Sequence, residues 1–309
     1  MTTIVPPKKL AIYYGFPSGV NGTFSVAGAA NVFKDYDLVV FGDGLQDPGH
    51  PDHQNTEDII AHPDMSSTNV YGYIDSTLTL NDIQNKIDQW YDMGIAGIFL
   101  DQFGYDFGVA REKQREIVWC VHEKGAGLKA FVNAWNPDDA FSPAVDATYN
   151  PSGLDTRLGA DDYYLAESFA IKLGQYDDDD LDTNGIKDFQ DKSDKMINYR
   201  TTYGTKLAAI TTNDDPVVDS TIPFDQAKAD YSYLLSVMNE LDAWGWGEPT
   251  FSASGDANSQ LPLRTRASYD GTKFTGALIK NAVNGVIERD TNVGIHIDTN
   301  AHTVSNLLD

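Results

Sequence analysis

The sequence predicts an α/β protein built as a (β/α)8 TIM barrel over residues 1–250, with a β-containing C-terminal extension over 251–309. Three observations predict it. Short β-branched or aromatic runs alternate with helix-period patterns along most of the chain. Eight such strand runs occur before residue 250, the number that closes a parallel barrel. No Gly-x-Gly-x-x-Gly follows the first run and no Gly-x-x-x-x-Gly-Lys-Ser/Thr occurs anywhere, so the phosphate-cradling signatures of open nucleotide-binding sheets are missing.

The strand runs are Leu10–Gly15, Asp37–Gly42, Asn69–Ile74, Gly97–Asp101, Leu128–Asn133, Asp162–Glu167, Lys206–Thr211 and Ala243–Trp246. Thr79 to Asp82 forms a capping-box-like start for a helix that carries Ile83, Ile87, Trp90 and Tyr91 inward and closes at Gly94. A second helix runs from Ala110 to Lys124, with Ile117, Val118 and Val121 on one face, and ends at Gly125. Pro223 and Asp225 open a third, in which Tyr231, Leu234, Leu235, Met238 and Leu241 keep the 3–4 spacing. Strand, helix, strand in succession means parallel strands with right-handed crossovers. After Pro249 the helical period stops, and Val293, Ile295 and Ile297 alternate with polar residues in a strand pattern. Residues 251–309 are therefore expected to lie outside the barrel, as a candidate segment for homo-oligomerisation or virion attachment.

Composition narrows the function classes. Against 46 Asp and Glu stand 22 Lys and Arg, a net charge of −24, without the basic clusters that a nucleic acid or an anionic membrane selects. With 41% apolar residues, including 14 Phe, 16 Tyr and 5 Trp, the chain has ample material for a large core, so the acidity belongs to a folded surface. Such a surface also suits a high-salt setting. No stretch reaches the roughly 18 apolar residues of a membrane span, and the N-terminus has no apolar signal segment. The expected protein is soluble, without a Sec-type signal, and virion-associated or extracellular. The single Cys120 excludes an intrachain disulfide and reads as a small buried apolar residue on its helix.

Reactive groups of such barrels stand at the C-terminal strand ends. Two sites there are chemically pointed: Gly97-Ile-Phe-Leu-Asp101, with Asp106 trailing, and Tyr163-Tyr-Leu-Ala-Glu167. An apolar run that breaks off in a carboxylate places it where burial and neighbours tune it for acid, base or nucleophilic work. Carboxylates on strands four and six can face each other across the mouth and flank one scissile glycosidic bond. Asp43, Asp75, Asp106, Asn133 and Asn213 join them as polar strand-end groups. Tyr13, Tyr14, Trp135, Trp244 and Trp246 offer flat faces for sugar rings. The acidity of this mouth suits a cationic ligand.

The strand-four text Gly97-Ile-Phe-Leu-Asp101 with Asp106, the strand-five text Phe131-Val-Asn133 followed by Asn136-Pro137, and the strand-six ending Glu167-Ser168-Phe169 together resemble glycoside hydrolase family 114. These are the endo-α-1,4-polygalactosaminidase-like barrels, near the spherulin-4-like hydrolases; the likeness covers residues 9–250. The resemblance implies a (β/α)8 hydrolase of an amino-sugar-containing polysaccharide, with Asp101 as nucleophile or stabiliser and Glu167 as acid/base. This chain departs from the family's Asn-Pro-Gly after strand five, reading Asn136-Pro137-Asp138, and carries an inserted stretch at 146–161.

The segment Asp180-Leu-Asp182-Thr-Asn184-Gly-Ile186-Lys-Asp188-Phe-Gln-Asp191 follows a calcium-loop pattern, with Asp191 where Glu is usual, so a structural Ca²⁺ is expected, with no cofactor for catalysis. His50, His53, His62, His122, His296 and His302 have no zinc-like spacing, and no Gly-x-Ser-x-Gly elbow occurs. Lys129 and Lys206 lie at strand starts, the wrong end for an aldolase lysine. The competing reading is a phage-tail or surface-layer component that binds glycans through the barrel with little or no turnover. Whether cleavage retains or inverts is left to the separation of Asp101 and Glu167.

Overall fold

The computed structural model describes residues 2–125, 127–215, 220–221, 223–248, 260–269, 271, 273–281, 286–289, 291 and 295–305. Eight parallel strands close the barrel: β1 (Lys8–Tyr13), β2 (Leu38–Phe41), β3 (Asn69–Asp75), β4 (Gly97–Asp101), β5 (Lys129–Asn133), β6 (Tyr163–Ala166), β7 (Lys206–Ile210) and β8 (Ala243–Gly245). Each pairs with the next in sequence, and β8 returns to β1. All eight match the runs the sequence marks, the first beginning two residues earlier and the third ending one residue later. The β3–β4 register sets Asp75 beside Asp101 at the mouth.

Strand side chains alternate between the two faces of a sheet, and closure turns one face into an interior. Leu10, Ile12, Leu38, Val40, Tyr71, Phe99, Phe131, Tyr163, Leu165, Ala208, Ile210 and Ala243 fill that interior. Their neighbours along each strand, such as Ala11, Tyr13, Val39, Ile98, Leu100 and Val132, face the surrounding helices. Those helices are α1 (Val26–Phe33), α2 (His53–Ile60), α3 (Leu80–Asp92), α4 (Arg111–Lys124), α5 (Pro137–Phe141), α6 (Asp188–Tyr203) and α7 (Gln226–Met238). Caps fix where several begin. Thr79 accepts from the Asp82 amide at 3.2 Å ahead of α3, and Asp225 accepts from Ala227 and Lys228 ahead of α7.

Helix α3 seats its inward face as the sequence anticipates for Ile83, Ile87 and Trp90, but Tyr91 is 42% exposed and lies against Lys124 of α4. One step of 100° beyond Trp90 carries it off the apolar stripe. Cys120 is half-buried, accepting from Gln84 at 3.2 Å, rather than fully enclosed. Trp90 itself lies on Gly72 of β3: a Cβ there would stand 2.2 Å from the indole, and the indole N–H donates to Tyr73 O at 3.1 Å.

Beyond the barrel, residues 260–269 lie across the β1–β8 seam, where Arg266 donates to the carbonyls of Pro7, Lys8 and Trp244. Four antiparallel strands follow: β9 (Ile279–Asn281), β10 (Val286–Arg289), β11 (Ile295–Asp298) and β12 (Thr303–Ser305). Ile295 and Ile297 are buried while His296 and Asp298 are not, the alternation the sequence carries; Val293 lies outside the described residues. This small sheet packs on its own barrel. Arg289 pairs with Glu240 at 2.6 Å and donates to Met238 O at the end of α7, and Lys280 pairs with Asp194 of α6 at 2.6 Å. Among the described residues no helix is long and apolar enough to cross a membrane.

Replacing Gly72 by Ala forces the buried indole of Trp90 to move. The expected loss is about 1–3 kcal/mol, read as a lower urea midpoint at unchanged slope.

Candidate active site

The alternation that fills the barrel continues to its rim. Counting by two from Ile12, Tyr71, Phe99, Phe131 and Leu165 leads to Tyr14, Tyr73 then Asp75, Asp101, Asn133 and Glu167. These residues, with Asp43, surround a cavity of about 370 Å³ above the Phe99 and Leu165 layer. The barrel interior is thus its floor, and polar groups appear where the apolar stack stops.

Asp101 and Glu167 meet through one amide. Asn133 Nδ2 donates to Asp101 Oδ1 at 2.9 Å and to Glu167 Oε2 at 2.8 Å. The two N–H bonds of an ideal amide diverge by about 120°, a geometry that would put these acceptor oxygens about 5 Å apart. The other Asp101 oxygen accepts from the Tyr73 hydroxyl at 2.8 Å. Tyr73 meets Tyr14 edge-on, with ring centroids 5.4 Å apart. Burial, followed by the charge of Asp101, pushes both phenols above the ordinary tyrosine value, so both stay protonated beside the carboxylates, Tyr73 as a hydrogen-bond donor.

Each carboxylate is followed by a residue in left-handed backbone: Gln102 at φ 53° after Asp101, and Ser168 at φ 57° after Glu167. Both chains turn sharply off the barrel at the carboxylate. Neither residue is glycine, so each turn costs about 1 kcal/mol or more.

The remaining sequence-marked residues separate into those at the mouth and those away from it. Asp43 and Asp75 form the rim; Asp43 pairs with Lys86 at 2.7 Å, and Asp75 caps the Thr77 amide at 2.7 Å. Tyr13 points the other way from Tyr14, buried edge-on against Phe33 of α1. Asp106 sits exposed on the turn after β4, outside the cavity lining. Asn213 is buried and donates to Thr211 Oγ1 and Gly247 O, bracing the ends of β7 and β8. Trp244 and Trp246 do not reach the mouth. Trp244 is 2% exposed, donates to Ser232 of α7 and lies under Arg266, while Trp246 packs on Phe224. Strand parity turns Trp244 outward onto α7, opposite to Ala243 in the barrel interior, and Phe224 of the connection before α7 takes Trp246. The side chain of Asp214 lies outside the described residues.

Trp135, 47% exposed, lines a second cavity of about 590 Å³ that shares Glu167 with the first. Asp182, Asn184, Asp188 and Asp191 border this second space. The oxygens of that loop are turned to its own groups. Asp180 accepts from the Asn184 and Gly185 amides, Asn184 Oδ1 accepts from Ile186 N, and the Asn184 amide donates to Asp182 and Asp191. Among the described residues no group of three or more His, Cys, Asp or Glu side chains is gathered to hold a metal ion. Asp138, where the glycine of the resembled family is replaced, ties α5 to α6 by accepting from Tyr199 at 2.8 Å and Lys195 at 2.7 Å. Two cavity groups escaped the sequence reading. Tyr73 shares a face with Asp75 at a spacing of two, a signal that was available, whereas Lys192 of α6 approaches through tertiary packing that no local pattern encodes.

No protein-family model matches the chain, and no curated protein does. Solved structures similar to it include an HpcH/HpaI aldolase from Desulfitobacterium hafniense, at 10% identity and a TM-score of 0.42 over 78% of this chain and 86% of that one. A dihydrodipicolinate synthase from Agrobacterium tumefaciens matches at 12% identity and 0.44 over 78% and 70%. The tryptophan synthase complex of Pyrococcus furiosus matches at 11% and 0.43 over 82% and 90%. At these values the barrel assignment rests on the strand order itself.

Replacing Gln102 by Gly relieves the left-handed turn after Asp101. Thermal unfolding is expected to show a gain of up to about 1 kcal/mol, the relief of strain exceeding the added freedom of the unfolded chain.

Proposed function

We propose that this protein is a glycoside hydrolase that cleaves an amino-sugar-containing polysaccharide with Asp101 and Glu167. The observation that carries the reading is the Asn133 amide, which donates to one oxygen of each carboxylate, at 2.9 and 2.8 Å, at the mouth of the barrel; ideal amide geometry would put those oxygens about 5 Å apart. Retaining glycosidases place their pair at about 5–5.5 Å, and inverting ones leave about 6.5–9.5 Å for a water. The spacing favours retention.

The roles follow from the surroundings. Asp101 accepts on both oxygens, from Tyr73 and Asn133, and lines only the inner cavity, so it is the nucleophile. Glu167 lines both cavities and stands where the leaving oxygen would pass, so it is the acid and then the base. In the first step an Asp101 oxygen bonds to the anomeric carbon as the glycosidic C–O bond breaks, and the Glu167 proton goes to the departing oxygen. In the second, Glu167 takes a proton from water, whose oxygen displaces Asp101 and frees the sugar. Asp43 and Asp75 at the rim, in a chain of charge −24, favour a cationic sugar chain. The family 114 resemblance of the strand-four, strand-five and strand-six texts points to the same substrate class.

Asp101→Asn and Glu167→Gln are each expected to lower reducing-end release from partly deacetylated galactosamine or glucosamine polymers by about a thousandfold or more, with the fold retained. Asn133→Ala is expected to lose about a hundredfold in kcat with a smaller change in KM, because it removes positioning. Cleavage that survives both carboxylate substitutions, or no release from any polymer, would overturn the assignment.

A further inference from the structure

The second cavity contains a cation the mechanism above does not use. Lys192 Nζ lies 3.9 Å from the centroid of the Trp135 ring, and Lys172 Nζ lies 5.4 Å from the same ring. Lys172 is also paired with Asp179 at 2.7 Å, and Lys195 in the same cavity with Asp138 at 2.7 Å. Among the described residues, Lys192 has no carboxylate within ion-pair distance, although Glu167, Asp177 and Asp188 all attract it. Burial brings its ammonium down to about 8, only partly offset by those three carboxylates. An exposed tryptophan at the wall of a cleft is the usual platform for a sugar ring, and here a flexible lysine covers it.

We propose that Trp135 and the carboxylates around it form an ammonium-accepting subsite on the leaving-group side of Glu167, and that Lys192 occupies it until a free-amine sugar displaces it. The inference rests on the hydrolase reading for its orientation along the chain, but the binding site itself does not require turnover. A glucosamine-type unit stacked on Trp135 brings its own ammonium to the field of Glu167, Asp177 and Asp188, replacing the charge that Lys192 withdraws. An N-acetylated unit brings none, so the carboxylates lose their counter-charge when Lys192 leaves. Lys192 is then an internal competitor, and its occupancy lowers the apparent affinity for substrate by the fraction of protein in which the platform is free. The carboxylates thus favour the cationic sugar, and Lys192 sets how much of the protein has the platform open to either.

The test is calorimetric titration at mildly acidic pH, in an Asp101→Asn background so that nothing is cleaved, with the tetrasaccharides of glucosamine and of N-acetylglucosamine. Lys192→Met is expected to bind both tetrasaccharides about fivefold more tightly, the glucosamine one remaining the tighter of the two. Trp135→Ala is expected to weaken the glucosamine tetrasaccharide by about tenfold. Lys195→Met removes a like charge from the same cavity without uncovering Trp135, and is expected to change neither. Weaker, equal or undetectable binding of the glucosamine tetrasaccharide by Lys192→Met overturns the proposal, as does an equal gain in Lys195→Met, which would reduce the effect to net charge. Failure of the hydrolase reading is seen separately, in the polymer-release assay with Asp101 intact.

Discussion

The structure depends on the two-residue period of strands wound into a closed barrel. A strand that starts apolar on its inner face has no other face to offer at its tip, so the residues that seal the interior and those that line the mouth belong to one series. Phe99 and Asp101, Phe131 and Asn133, and Leu165 and Glu167 are successive members of it. The interior stack therefore positions the carboxylates directly. Phe99 and Phe131 meet edge-on at 5.2 Å, and the two side chains above them, Asp101 and Asn133, meet at 2.9 Å. Moving either strand by one residue would turn the polar group into the helix layer and an apolar one into the mouth.

Much of this was legible in the sequence because it is local. The eight runs, the capped starts of α3 and α7, and the abrupt endings at Asp101 and Glu167 are written within a few residues of each other. What the sequence left hidden is non-local. Trp244 and Trp246 look like mouth residues until Arg266, from further along the chain, and Phe224, from before α7, are brought over them. Asn213 looks like a substrate ligand until Gly247 supplies its acceptor. Tyr14 and Tyr13 are adjacent, and only the parity set by Leu10 and Ile12 shows which of them turns inward.

The electrostatics of the site are also divided between two spaces. Around Asp101 the donors are neutral, from Tyr73 and Asn133, and burial keeps the phenols protonated. Beyond Glu167 the compensation is ionic, with lysines from α6 and from the hairpin at 171–176 set among aspartates. A neutral donor set holds geometry without adding charge to the carboxylate pair, whereas ammonium groups can exchange with those of a cationic ligand.

The wall of that outer space hangs between two bodies. Helix α6 and the loop before it pack on the barrel on one side. On the other, Lys187 is bonded to Asp178 and to the carbonyl of Thr299, Lys280 to Asp194, and the ring of His302 lies flat on Tyr176 at 4.0 Å. The C-terminal sheet thus acts as an outrigger bonded to this wall, while the carboxylate pair stands at the ends of barrel strands. Changes in the sheet would bear first on the outer cavity and leave the carboxylate pair as it is, so the two spaces can vary independently in this architecture.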